Sequence, residues 1–286
     1  MPNKKKQIDA RIPKSIIRIA KILHLISPAL AEKFARKLFI TPIKYPIPKR
    51  EIHMEEASIQ STIHIPNIKK DIVVYEYGQS NKKVLLIHGW SGRGTQLVKI
   101  ADELLENGYS TISFDAPAHG KSGSKTTIMI EFIECILELE KKFGPFEFGI
   151  AHSLGAMALL NAVKRGLQIK KGVIIGSGNS VLEILDEFVH RIGLPKSIAE
   201  KMKQSFESQY KFEMESLSAY IAAKDVHIPI LVIHDNQDYD VPVHAAHAIA
   251  ENLTNHELII TNELGHRKIL GDKSVIHALL SFLLRK

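Results

Sequence analysis

The chain has 286 residues, 45% of them hydrophobic and 24% charged, a balance that suits a globular protein with a large core and excludes a low-complexity or disordered chain. A single cysteine, Cys135, excludes an internal disulfide and points to a reducing, cytoplasmic setting. The net charge of +7 is uneven: residues 1–50 carry thirteen lysines and arginines against Asp9 and Glu32, a net +11, which leaves −4 for the rest. A net-acidic body without zinc-ligand spacing or an RNA-binding signature argues against a nucleic-acid partner.

Residues 1–50 read as a basic amphipathic arm. Ile12, Ile16, Ile19, Leu23, Ile26 and Leu30 recur at spacings of four and three, on one helical face, with Arg11, Lys14, Arg18 and Lys21 off it. Ser27-Pro28 breaks this helix and starts a second, and Pro42, Pro46 and Pro48 mark an extended linker over 41–50. The basic residues and His24 interrupt the apolar run, so neither a signal-peptide core nor a membrane span is expected. The stripe is expected to pack on the body or on a second copy in a homodimer; peripheral membrane contact is the less favoured alternative.

From Ser58 the chain alternates. Strands are predicted at 58–65, 71–77, 83–87, 109–114, 145–148, 172–175, 228–234 and 256–261, and helices at 95–106, 127–143, 156–163, 243–252 and 273–284. Residues 179–227 read as mostly helical. This alternation means an α/β fold with a mostly parallel sheet covered on both faces. Cys135 lies in a helical pattern and reads as a small core residue.

The stretch Gly149-Ile150-Ala151-His152-Ser153-Leu154-Gly155 joins an apolar strand to a helix. Ala151 and Gly155 let the two backbones approach closely around Ser153, a strand–turn–helix setting for a small-x-Ser-x-Gly elbow at a helix N-terminus. Four other loops also follow strand ends, where open α/β sheets bind ligands. They are His88-Gly89-Trp90, Asp115 to Ser122, Asp235 to Pro242, and Leu264-Gly265-His266.

Together these positions, in this order, resemble the α/β-hydrolase family over residues 58–286. The resemblance implies Ser153 as nucleophile, Asp238 as acid in a loop similar to H-G-x-x-D-x-x-V-P, and His266 as base. It also implies an oxyanion hole from the backbone N–H groups of Trp90 and Leu154. Asp235 stands where that loop has glycine, so Asp235 and Asp240 remain alternatives for the acid. Ala118 replaces the glycine expected before His119-Gly120, a turn read as structural. The resemblance further implies a core of 51–178 and 228–286 with a helical lid over 179–227. Its apolar stripe around Leu182, Leu185, Phe188 and Ile192 suits an apolar acyl chain or alcohol.

The activity expected is hydrolysis of a carboxylic ester or thioester, without a cofactor or metal. Alternatives are acyl transfer from the same site, or a binding or signalling protein that keeps the fold without turnover. Serine at the elbow argues against dehalogenase and epoxide hydrolase chemistry, which uses aspartate in the resembled families. His244 and His247, three apart on a helix, read as solvent-facing rather than as metal ligands. Gly176-Ser177-Gly178 lacks the third glycine of a dinucleotide site, and Gly92-Arg93-Gly94 lacks the lysine and serine of a phosphate loop.

Overall fold

A computed structural model describes residues 12–285. Its helices and strands run α1 (Lys14–Ile26), α2 (Pro28–Phe39), α3 (Lys49–Ala57), β1 (Ile59–Ile65), β2 (Lys70–Tyr77), β3 (Lys83–Ile87), α4 (Val98–Glu106), β4 (Ser110–Asp115), α5 (Met129–Phe143), β5 (Phe146–His152), α6 (Leu154–Lys164) and β6 (Lys171–Ile175). They continue with α7 (Val181–Arg191), α8 (Lys196–Tyr210), α9 (Ala219–Ala223), β7 (Ile230–Asp235), α10 (His244–Ala250), β8 (His256–Thr261), α11 (Gly265–Lys268) and α12 (Lys273–Leu284).

The eight strands form one sheet in the order β1-β2-β4-β3-β5-β6-β7-β8. The first two pairings are antiparallel and the remainder parallel. Alternate residues face opposite sides of a strand, so the register sets two cores. Leu86, Ile150, Val173 and Leu231 form one row across the sheet and join the cluster with residues of α4 and α12. Ile87, Ala151, Ile174 and Val232 form the row behind it. Cys135 is buried in α5, and burial pushes its thiol up, as befits a core residue rather than a nucleophile.

The chain divides into two compact units. One comprises the chain up to Phe39 with Val181–Ser216; the other comprises Ile40–Ser180 and the chain from Leu217 onward. These boundaries differ from a separate arm of 1–50 and a lid of 179–227. In the first unit α2 packs on α8 and α7 on α8. Phe39 sets its ring 5.1 Å from that of Phe188 and 5.9 Å from that of Phe206. Gly193, which follows α7, takes φ +76°, a conformation that favours glycine, and a Cβ there would lie 3.2 Å from Ile17 of α1. In the second unit α9 packs on α6, and Ala219 N–H bonds the Asn179 carbonyl at 2.7 Å, so the end of the expected lid belongs to the core.

Two further readings need correction. The linker is extended only to Pro48, after which α3 forms with Met54 fully buried. The apolar stripe of the arm is only partly covered: Ile16 and Leu23 are half-buried around a fully buried Ala20, while Ile19, Ile26 and Leu30 are exposed. Arg11 and the lysines before it lie outside the described residues. Among the described residues no helix is long and apolar enough to cross a membrane.

Candidate active site

Ser153 occupies the turn between β5 and α6 with φ 53° and ψ −119°. A non-glycine residue at positive φ costs about 1–3 kcal/mol and persists only where its surroundings enforce it. The enforcement is visible. Ser153 N–H bonds the Ile175 carbonyl at 2.9 Å, and its own carbonyl accepts the Ala156 N–H at 3.0 Å. A Cβ on Gly155 would lie 2.4 Å from the His88 carbonyl oxygen, so α6 meets β3 with no room for a side chain. Ala151, where the elbow pattern has its first glycine, is fully buried beside Ile87 without such conflict. Leu154 opens α6, and the first N–H groups of a helix have no partner within it.

The loop after β3 presses on the same turn. A Cβ on Gly89 would lie 2.9 Å from the Ser153 Cβ and 3.0 Å from His152 Nδ1. Gln96 Oε1 accepts the Gly89 N–H at 3.1 Å, His119 Nε2 accepts the Ser91 N–H at 3.0 Å, and the Gly92 N–H bonds the Gly89 carbonyl at 3.0 Å. Among the described residues no hydrogen bond uses the Trp90 N–H between them.

Two buried histidines hold this loop. His88 donates from Nδ1 to the Gly89 carbonyl at 2.7 Å and accepts the Ala116 N–H at Nε2. His119 donates from Nδ1 to the Pro117 carbonyl at 3.0 Å. Burial holds His88 down to about 4 and His119 down to about 3, so both are neutral hydrogen-bonding struts. The turn 115–122 is braced by the buried Asp115 carboxylate, which accepts the N–H groups of Gly94 at 2.6 Å and Lys121 at 2.7 Å and the Tyr75 hydroxyl at 2.9 Å.

The acidic loop distinguishes its three aspartates. Asp238 Oδ2 lies 2.6 Å from His266 Nδ1, and its Oδ1 accepts the N–H groups of Asp240 at 2.8 Å and Val241 at 2.9 Å. Asp235 instead ties the loop together. It accepts from Gln237 N–H at 2.9 Å, the Thr261 hydroxyl at 2.8 Å and Leu264 N–H at 3.1 Å. Burial raises its carboxyl pKa, but the hydrogen bonds outweigh burial and hold it below the usual range. Among the described residues the Asp240 carboxylate reaches only Arg267, at 4.0 Å. Neither alternative acid meets His266.

His266 sits in the single turn of α11, where a loop is expected from sequence. Gly176, at φ +58°, lets the backbone after β6 approach it: a Cβ there would lie 3.2 Å from His266 Nδ1. His152 donates from Nε2 to the His266 carbonyl at 2.9 Å, with ring centroids 4.6 Å apart, and so links the elbow to the turn bearing His266. Desolvation holds His152 well below the usual histidine range. No hydrogen bond among the described residues joins the Ser153 hydroxyl to His266; such contacts often tighten only with substrate bound. The loops after β3, β5, β6, β7 and β8 thus converge on one edge. Gln96, which the sequence reading does not name, and Asp115, His152 and Gly176, whose contacts it does not foresee, are the supporting residues.

A separate cleft of about 250 Å³, lined by Asn67, Glu134 and Arg165 among others, contains none of these residues. Among the described residues no group of three His, Cys, Asp or Glu side chains is placed to hold a metal ion.

In sequence, residues 84–218 match the Alpha/beta hydrolase family. No curated protein matches the chain. Among solved structures, a bromoperoxidase from Bacillus anthracis is similar at a TM-score of 0.62 and 18% identity, over 80% of this chain and 100% of that one. An esterase from Exiguobacterium antarcticum is similar at 0.61 and 18%, over 79% and 100%. A membrane phospholipase A is similar at 0.62 and 15%, over 96% and 97%. The chain has the α/β-hydrolase fold, and its residues 84–218 match the Alpha/beta hydrolase family in sequence.

Proposed function

We propose that this chain is a serine hydrolase that cleaves a carboxylic ester or thioester through an acyl-enzyme on Ser153. The observation that carries the reading is the 2.6 Å contact of His266 Nδ1 with Asp238 Oδ2, on the sheet edge where Ser153 stands at its elbow. A serine hydroxyl is a weak nucleophile until a base removes its proton, and a histidine oriented by a carboxylate is that base. Asp238 fixes the proton on Nδ1, which leaves Nε2 to take the Ser153 proton as Oγ bonds to the acyl carbon. The N–H groups of Trp90 and Leu154 stabilise the oxyanion. The bond to the alcohol or thiol then breaks, and the imidazolium gives that leaving group the proton. Water, deprotonated by the same nitrogen, releases the acid and restores Ser153.

Neighbours of the same fold described as an esterase and a phospholipase agree with ester chemistry. An apolar acyl or alcohol part is supported by two exposed aromatic side chains on the site loops, Trp90 beside Gly89 and Tyr239 beside Asp238. A series of p-nitrophenyl esters from acetate upward tests this. The kcat/KM should rise with acyl length by up to about fourfold per methylene, the equivalent of ~0.8 kcal/mol, until the pocket ends. Ser153→Ala should abolish turnover on every ester. A folded wild type inert on the whole series, or an active Ser153→Ala, would defeat the reading.

A further inference from the structure

We infer that the outward face of α1 is a docking surface for an anionic lipid bilayer. This goes beyond the hydrolase reading and does not rest on it.

The 13-residue helix Lys14–Ile26 contains no acid. Its inward side is used: Ala20 is fully buried, Ile16, Ile17 and Leu23 are half-buried, and the Lys21 stem lies over Gly193. Its outward side is apolar. Ile19, Ile22 and Ile26, at spacings of three and four, are 46, 50 and 69% exposed, and Leu25 is 86% exposed. Scattered exposed apolar residues need no explanation, but a continuous row on one helix does. Alongside stand Lys14 and Arg18, with Lys21 at the border with the inward side; all three are exposed and form no ion pair among the described residues. In sequence, Lys4, Lys5, Lys6 and Arg11 precede it against Asp9 alone.

An apolar row flanked by unpaired cations is the pattern of a helix that lies in the plane of a membrane interface. The apolar side chains enter the acyl boundary, and the long basic stems reach the headgroups. Charge selects this occupant over a second copy. Pairing two such faces would bring their cations together, whereas an anionic leaflet neutralises them. A nucleic acid would use the cations and leave the apolar row in water.

The test is co-sedimentation of the full chain with vesicles of phosphatidylcholine containing about 30% phosphatidylserine, against pure phosphatidylcholine, at low and high salt. Wild type should bind the anionic vesicles and release in high salt. Lys14→Gln and Arg18→Gln should each weaken binding about fivefold. Leu25→Ser with Ile26→Ser should lose binding to the anionic vesicles even at low salt, with unchanged circular dichroism and unchanged hydrolysis of a soluble ester, because these residues are exposed. No binding by wild type, or binding that survives the serine pair, would overturn the inference. So would a wild-type dimer that the same pair dissociates, since the face would then belong to a second copy. Vesicle binding is read without turnover, so a protein inert on every ester can still pass or fail.

Discussion

Changing Asp238 to asparagine leaves the side chain's shape and reverses one hydrogen bond. Asp238 Oδ1 accepts two backbone N–H groups, from Asp240 and Val241, and Oδ2 faces His266 Nδ1 at 2.6 Å. In Asp238→Asn the amide oxygen stays with the two backbone donors. The reverse orientation would set an NH₂ against them, losing two bonds of about 1 kcal/mol each and leaving buried donors unpaired. The NH₂ therefore points at His266 Nδ1, which must accept. The imidazole proton moves to Nε2, the nitrogen that has to receive the Ser153 proton. A wrong-tautomer histidine of this kind costs about 10⁴ in kcat, or ~5.5 kcal/mol of transition-state stabilisation. Steady-state hydrolysis of p-nitrophenyl butyrate, with the fold checked by circular dichroism, reads the effect. Asp240→Asn should stay within about threefold of wild type, because among the described residues its carboxylate touches only Arg267. A folded Asp238→Asn within tenfold of wild type, or an Asp240→Asn slower than Asp238→Asn, would refute the argument.

Two stability predictions follow from the same geometry. Gly155→Ala places a methyl 2.4 Å from the His88 carbonyl and 2.7 Å from Ile87 Cγ2, so it should cost about 3 kcal/mol or prevent folding. Gly123→Ala, with nothing within 4 Å, should leave the urea midpoint unchanged; equal midpoints for the two would contradict the close approach at the elbow. Acid should also destabilise the protein through its buried histidines. The folded pKa of His88, about 4, lies below its ordinary 6.5, so the unfolded chain binds the proton first. The stability is complete above pH 6.5 and is lost as pH falls toward 4, by up to about 3 kcal/mol for His88 alone at ~1.36 kcal/mol per unit. His119, held at about 3, acts in the same direction. Denaturant midpoints that agree at pH 7 and pH 5 would rule this out.

The sheet and the elbow were legible because they depend on local pattern. Apolar strands such as Val84–Ile87 admit little but a buried parallel sheet, and small residues on both sides of Ser153 mark a close approach. The proposed acid was legible as Asp238 only through the family resemblance, with Asp235 and Asp240 left open. Three aspartates within six residues share one composition, and which of them meets His266 depends on backbone N–H groups whose direction no spacing encodes. The contacts of His152 and Asp115 were hidden for a related reason: each reaches a loop distant in sequence, so its partner is set by the fold, while Gln96 meets Gly89 seven residues away through a loop shape that no spacing encodes. The short α11 gave no periodicity to read. The helical face of the arm was legible, but its cover was not. Ile16 and Ile19 belong to the same stripe in sequence, and only the packing around Ala20 and Gly193 shows that one is half-buried and the other exposed.

The central claim is that Ser153 is an activated nucleophile, and covalent labelling tests it without knowledge of the substrate. A fluorophosphonate probe reacts with a serine that a base deprotonates, and its phosphonyl oxygen occupies the oxyanion site. Intact-mass measurement of the folded protein should show one adduct, mapped to the peptide containing Ser153 and absent from Ser153→Ala and His266→Ala. A folded wild type that takes no adduct, or an adduct that persists on Ser153→Ala, would contradict the account.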